Sequence, residues 1–133
     1  MAIIKITPEI RKVQALQADW LNAHVSRIWD SYTEIWPKLA RFDAPKISIN
    51  NRFTRCAGMC YQEENRIELG GKFILDKRYK ANMLAVILPH ELAHQIDFNL
   101  FGESELKCGH GEKWREVMLK LGLAPNKHHS MEL

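Results

Sequence analysis

At 133 residues, 46% hydrophobic and 26% charged, the chain has the size and balance of one soluble globular domain with a real core. Its formal charge of +3 permits an acidic partner without requiring one, and no apolar run exceeds the six residues of Met83–Leu88, against the roughly 18 that a membrane span needs. No secretory h-region opens the chain, and three cysteines, an odd number, argue against a disulfide framework, so a cytoplasmic protein without a membrane partner is expected.

Thr7-Pro8-Glu9 reads as an N-cap, a proline at the first helical position and an acidic first turn. Apolar residues then recur at helical spacing from Ile10 to Leu39, with room for a bend or split between Asn22 and Ser26 and an end at Pro37. Trp20, Trp29 and Trp36 are expected in the core, and His24 receives no role. From Pro45 the period changes. Ile47 and Ile49 alternate with polar neighbours, Cys56–Tyr61 is small and apolar, and Arg66–Leu69 resumes a strand that Gly70-Gly71 ends. Three short strands in succession predict an antiparallel meander, and Gly58 inside a strand marks a bulge or a close backbone approach. Cys56 and Cys60 read as buried, inert thiols. The clusters Arg52/Arg55 and Lys77/Arg78/Lys80 read as solvated faces.

From about Lys77 the pattern is helical again, and the periodicity favours one bent helix running on through Pro89 to a stop at Gly102. A loop over 103–109 leads to a tight turn with His110 at its tip between Gly109 and Gly111. Trp114, Val117, Met118 and Leu121 make a last helical stripe that Gly122 stops. The fold expected is α+β: N-terminal helices over about 7–40, then a core over about 46–123 with the small sheet and two helices. A loose tail over 124–133 completes one domain spanning 1–133.

The chemistry concentrates in His90-Glu91-Leu92-Ala93-His94, an H-E-x-x-H motif. Positions four apart on a helix return to nearly one face about 6 Å along the axis, so two imidazoles can bind one Zn²⁺ from a single element. Glu91 lies about 100° further round and can reach a water at that metal, the place of a general base. Two incidental histidines on a solvent-facing helix would look the same, but these lie on a strongly apolar helix, where unpaired imidazoles are costly. A catalytic zinc wants a third protein ligand. His110, sixteen residues after His94, is preferred, with Glu112 or Glu116 as alternatives for a His₂Glu site. The metzincin pattern fails, because Asp97 and Leu100 stand where it needs glycine and histidine. Asp97 reads as a supporting or surface residue. Donors for an oxyanion are available by type in Tyr61, Arg52 and Arg55, and an exposed strand edge could hold an extended substrate. The reading is a zinc-dependent hydrolase of peptide bonds. Its alternative is a non-catalytic zinc-stabilised module that recruits a protein or nucleic acid.

His90–His94, the separated His110-Gly111-x-x-Trp114, and the upstream Ala57-Gly58 and Ile67-Glu68-Leu69 resemble the SprT-like (Spartan-type) zinc metalloprotease family from about Ile47 to Leu123. The resemblance implies a compact, zincin-like α+β domain with His90, His94 and His110 as zinc ligands and Glu91 as the catalytic residue. It also implies protein substrates attached to or crosslinked with DNA, which makes DNA a candidate partner. Two features depart from the family pattern. Pro89 directly precedes the motif, and no cysteine follows Cys108, whereas many members carry a C-terminal zinc ribbon.

Overall fold

The computed structural model describes residues 5–102 and 111–125. Helix α1 (Pro8–Ile35) starts where the Thr7 hydroxyl accepts the Ile10 N–H at 3.2 Å, a cap worth about 1 kcal/mol. It runs 28 residues without a break. The split for which the sequence left room between Asn22 and Ser26 is absent, because Leu21, Val25 and Trp29 form one continuous buried stripe. Trp36, held extended by the proline that follows it, ends the helix, and a short 3₁₀ turn (Pro37–Arg41) leads away. The Trp29 indole donates to the Phe42 carbonyl at 3.1 Å and fixes this return. Trp20 corrects the sequence expectation. It sits outside the buried stripe, is 49% exposed, and stacks on His24 at 4.9 Å between ring centroids.

Strands β1 (Lys46–Asn50), β2 (Gly58–Tyr61) and β3 (Arg66–Gly70) form a sheet in the order β1-β3-β2. The expected all-antiparallel meander is therefore wrong in one pairing. β2 is antiparallel to β3, but β1 pairs with β3 in parallel, Ile47 beside Ile67 and Ile49 beside Leu69. Parallel neighbours need a connection of about a dozen residues or more, and the segment 51–65, with β2 inside it, is that connection. Asn22 of α1 covers the outer edge of β1. Its side-chain amide donates to the Ile47 carbonyl and accepts the Ile47 N–H, both at 2.8 Å, as a neighbouring strand would. β2 is thus the sheet's other edge.

A short helix α2 (Gly71–Leu75), not foreseen from the sequence, follows β3 at once. Gln14 and Asn51 exchange reciprocal amide bonds of 2.7 and 3.1 Å across it, and a Cβ at Gly71 would collide with that pair. Helix α3 (Lys77–Asn82), a π-turn (Met83–Ile87) and α4 (Leu88–Phe101) then form continuous helical backbone. The expectation of one helix through Pro89 is met, and the π-turn is how the chain manages it. The Leu88 N–H bonds back to the Met83 carbonyl, so the turn widens just before the residue that has no N–H to give. Gly102, at φ +78, ends α4. Helix α5 (Glu112–Lys120) packs Trp114, Val117 and Met118 on α4 and ends at Gly122, φ +76.

The core lies between α4 and the sheet. Ile87, Leu88, Leu92, Ala93 and Ile96 meet Ile47, Ile67 and Leu69, all nearly inaccessible to water. No helix among the described residues is long and apolar enough to cross a membrane. The loop expected over 103–109, the turn carrying His110 and the tail beyond Pro125 lie outside the described residues.

Candidate metal centre

Helix α4 is buried over most of its length, so its polar side chains are not on a solvated face. His90, Glu91 and His94 are 4%, 4% and 8% exposed. Their donor atoms all lie within 4.8 Å of one another. The two imidazoles turn the same edge inward, His90 Nε2 and His94 Nε2 being 3.3 Å apart. Two nitrogens bound to one tetrahedral ion at about 2.0–2.1 Å would stand about 3.3–3.4 Å apart. This pair is therefore already set for a metal ion of that size.

Glu91 supplies the second observation. Its Oε2 is buried without a hydrogen-bond partner among the described residues, and burial pushes its pKa from 4.5 up to about 8. An orphaned buried carboxylate is costly unless a cation or water joins it. The donor set thus fits a cation held by imidazoles with a carboxylate beside it.

Two walls hold the geometry. Trp114 of α5, fully buried, lies nearly parallel to the His94 ring (centroids 5.3 Å, 20°) and edge-on to His90 (5.0 Å, 66°). From the sheet side, β2 comes so close that a Cβ at Gly58 would stand 3.0 Å from Ile87 Cγ2 and 3.3 Å from Glu91 Cγ. This is the close backbone approach that the isolated glycine suggested. A polar clasp lies behind His94. Gln62 Nε2 donates to the His94 carbonyl at 3.2 Å, and Gln95 Nε2 donates to the Gln62 carbonyl at 3.1 Å and to Asn99 Oδ1 at 2.9 Å. The Cys60 thiol reaches Gln95 Oε1 at 3.5 Å. Sequence reasoning missed this clasp, reading 62–65 only as a polar turn. A glutamine on a face otherwise apolar, Gln95, was the available signal.

The other residues singled out from the sequence lie as follows. His110 and Cys108 are outside the described residues. Glu112 and Glu116 face solvent, Glu116 being 3.9 Å from Lys113, and the α5 side chain turned toward the imidazoles is Trp114. Tyr61 does not face the histidines. Gly58 and Cys60 point toward α4, so by strand alternation Tyr61 points away. There the Arg66 guanidinium covers its ring at 3.9 Å, and a hydrogen bond to Glu68 raises its pKa. Arg52 and Arg55 are exposed in the link between β1 and β2. Asp97 is not a surface residue. It is 2% exposed, and burial raises its pKa from 3.8 to about 6, against the opposing pull of Lys113. Cys56 and Cys60 are partly rather than fully buried. Desolvation raises both pKa values, and Cys56 donates to the Gly58 carbonyl at 2.7 Å, so both are protonated thiols at neutral pH.

The SprT-like family model matches residues 26–131. The chain belongs to the SprT-like family. Among similar proteins, the Protein SprT of Shewanella oneidensis is 30% identical over 110 residues, covering 81% of this chain and 67% of that protein. The Protein SprT of Escherichia fergusonii is 30% identical over 114 residues, 84% of this chain and 66% of that one. That of Vibrio parahaemolyticus is 33% identical over 93 residues, 69% and 53% respectively. The chain thus spans about half to two thirds of the length of these relatives. No solved structure gave a significant match. The family match extends upstream of β1 into the second half of α1, where Trp29 packs the core.

Proposed function

We propose that this SprT-like protein is a zinc-dependent metallopeptidase. The observation that carries the reading is the pair of imidazole nitrogens 3.3 Å apart with the orphaned Glu91 carboxylate beside them. His90 and His94 would hold the ion, with His110 as the proposed third ligand. A bound zinc would supply Lewis acidity, polarising a carbonyl and acidifying water.

Glu91 does the proton work. With its Oε2 buried and without a hydrogen-bond partner among the described residues, it is placed to take a proton from the attacking water and to pass it to the leaving amine. Its pKa of about 8 comes from burial alone, and a cation bound beside it would lower that value into a range useful for a base at neutral pH. Trp114 and the Gln62–His94 bond keep the imidazoles oriented and exclude water behind them. An extended polypeptide fits the open edge of β2. Gly70 bonds to the Ala57 carbonyl, so alternation turns the backbone groups of Gly58 and Cys60 outward beside the helix that carries Glu91, the Gly58 carbonyl being taken by the Cys56 thiol and the Cys60 groups left for a substrate strand.

A purely structural metal site has no need of a buried carboxylate at its side, which is why the enzyme reading is preferred to the recruiting module. Proteins bound to or crosslinked with DNA are the proposed substrate class. The family resemblance supports that finer point, and the net charge of +3 permits it. The test incubates zinc-loaded wild type and Glu91→Gln with a DNA-binding protein, with and without single-stranded DNA, and reads fragments on a gel. Cleavage by wild type alone supports the peptidase, and its dependence on DNA supports the substrate class. Zinc binding by both proteins without cleavage by either would favour the recruiting module.

A further inference from the structure

Helix α1 shows a second apolar stripe that the fold does not use. Val13, Leu16 and Trp20 are 45%, 70% and 49% exposed, and they recur at helical spacing beside the buried stripe rather than on it. They form one wall of a groove of about 470 Å³, with Ile74 and Leu84 opposite and Lys80 at its rim. The Trp20 ring is held in place by the parallel His24 ring. Single exposed apolar residues are ordinary, but three on one wall of a concave apolar surface mark a place that another molecule covers.

Charge indicates which molecule. On α3 the carboxylate of Asp76 is engaged by Arg78 at 2.7 Å, whereas Lys77 and Lys80 are exposed and have no acidic partner among the described residues. The groove therefore offers an apolar floor with the Lys80 ammonium at its rim. Its α1 wall runs from Val13 to Trp20, about 10 Å or two turns, which matches a helix laid between α1 and α3.

We propose that this groove docks an acidic amphipathic helix of a partner protein, with apolar anchors at i, i+3 and i+7 against Leu16 and Trp20 and a carboxylate on Lys80. None of its residues belongs to the metal centre, so the proposal stands apart from the peptidase reading. Leu84 lies in the π-turn that leads into α4, six residues ahead of His90, so an occupied groove would brace the helix that carries the metal centre.

The experiment uses full-length Glu91→Gln protein, so that no probe is cleaved. The probe is a fluorescein-labelled helical peptide with leucine and phenylalanine anchors and flanking glutamates, and its control has lysines in their place. Anisotropy is expected to give micromolar binding of the glutamate probe, about 1–100 µM, and at least tenfold weaker binding of the control. Leu16→Asp should weaken the probe at least tenfold, and Lys80→Glu should reverse the preference between probe and control. Both sites are exposed, so melting temperatures should stay unchanged, which separates lost docking from lost folding. Equal binding of both peptides, or no effect of either variant, overturns the proposal. So does a dimer in light scattering that Leu16→Asp dissolves, since the groove would then be covered by a second copy. Binding to anionic vesicles that Leu16→Asp abolishes, without peptide binding, would overturn it in favour of a lipid surface.

Discussion

Glu91 and Gly58 meet where β2 packs against α4, and each constrains the other. Burial lifts the Glu91 pKa from 4.5 to about 8, so the folded protein binds that proton more tightly than the unfolded chain. In metal-free protein this contribution to stability is full below about pH 4.5 and is lost as pH rises toward 8. Glu91→Gln keeps the shape and removes the charge. Without metal it should melt higher than wild type at pH 8, by about 4 °C for each kcal/mol gained, and equally at pH 4. Scanning calorimetry with a chelator checks this; equal melting at both pH values would mean the carboxylate is not orphaned in solution. Gly58 faces the same carboxylate. A methyl there must displace Ile87 Cγ2 at 3.0 Å and Glu91 Cγ at 3.3 Å, both inside packed core. Gly58→Ala should cost about 1–3 kcal/mol in denaturant unfolding. If the peptidase reading holds, its kcat should fall more than its KM changes, with zinc affinity near wild type because neither imidazole is touched. The spacing of His90 and His94 was legible at this scale, since helix geometry alone brings i and i+4 together. The orientation of Trp114 against both rings was not, because it depends on how α5 docks.

Helix boundaries are written in local chemistry, and strand pairing is not. Thr7-Pro8-Glu9 begins α1 and Gly102 and Gly122 close α4 and α5 where the sequence suggests, because caps and positive-φ glycines act within a few residues. The parallel pairing of β1 with β3 could not be read the same way. It depends on which edge β2 takes, and the consecutive order of three strands carries no information about that. What holds β1 in its place comes from α1, through the Asn22 side chain at both polar groups of Ile47. Asn22→Ala would leave an N–H and a carbonyl of a half-buried edge without partners. That should cost about 2–4 kcal/mol, at about 1–3 kcal/mol per unsatisfied group reduced by partial access to water. Urea unfolding measures it, and a loss below about 0.5 kcal/mol would show that water replaces the amide freely. The position of Trp20 follows from the same limit. Its spacing is helical, but only the docked sheet decides which stripe of a 28-residue helix is buried.

At the scale of the whole molecule, α4 is a buried rod held on one side by the sheet and on another by α5, and its polar residues set how stability responds to pH. Asp97 is 2% exposed, and burial raises its pKa from 3.8 to about 6, while Lys113 on α5 pulls the other way. A carboxylate whose folded pKa is raised contributes stability that is full below about pH 4 and is lost as pH rises through about 6. The folded chain holds the proton that the unfolded chain has already released. Asp97→Asn mimics the protonated form at every pH. It should match wild type near pH 3.8 and exceed it above pH 6, the difference growing across that window. Glu91 titrates with the same sign over a higher range, so the comparison belongs in a Glu91→Gln background, with a chelator to keep the histidines free of metal. Lys113→Ala removes the one opposing charge and should move the midpoint of the Asp97 window upward. Urea unfolding at half-unit steps from pH 3.5 to 7.5 gives both curves. A wild type and an Asp97→Asn protein that run parallel across the window would mean that Asp97 is solvated in the folded protein and that α5 does not seal this side of α4.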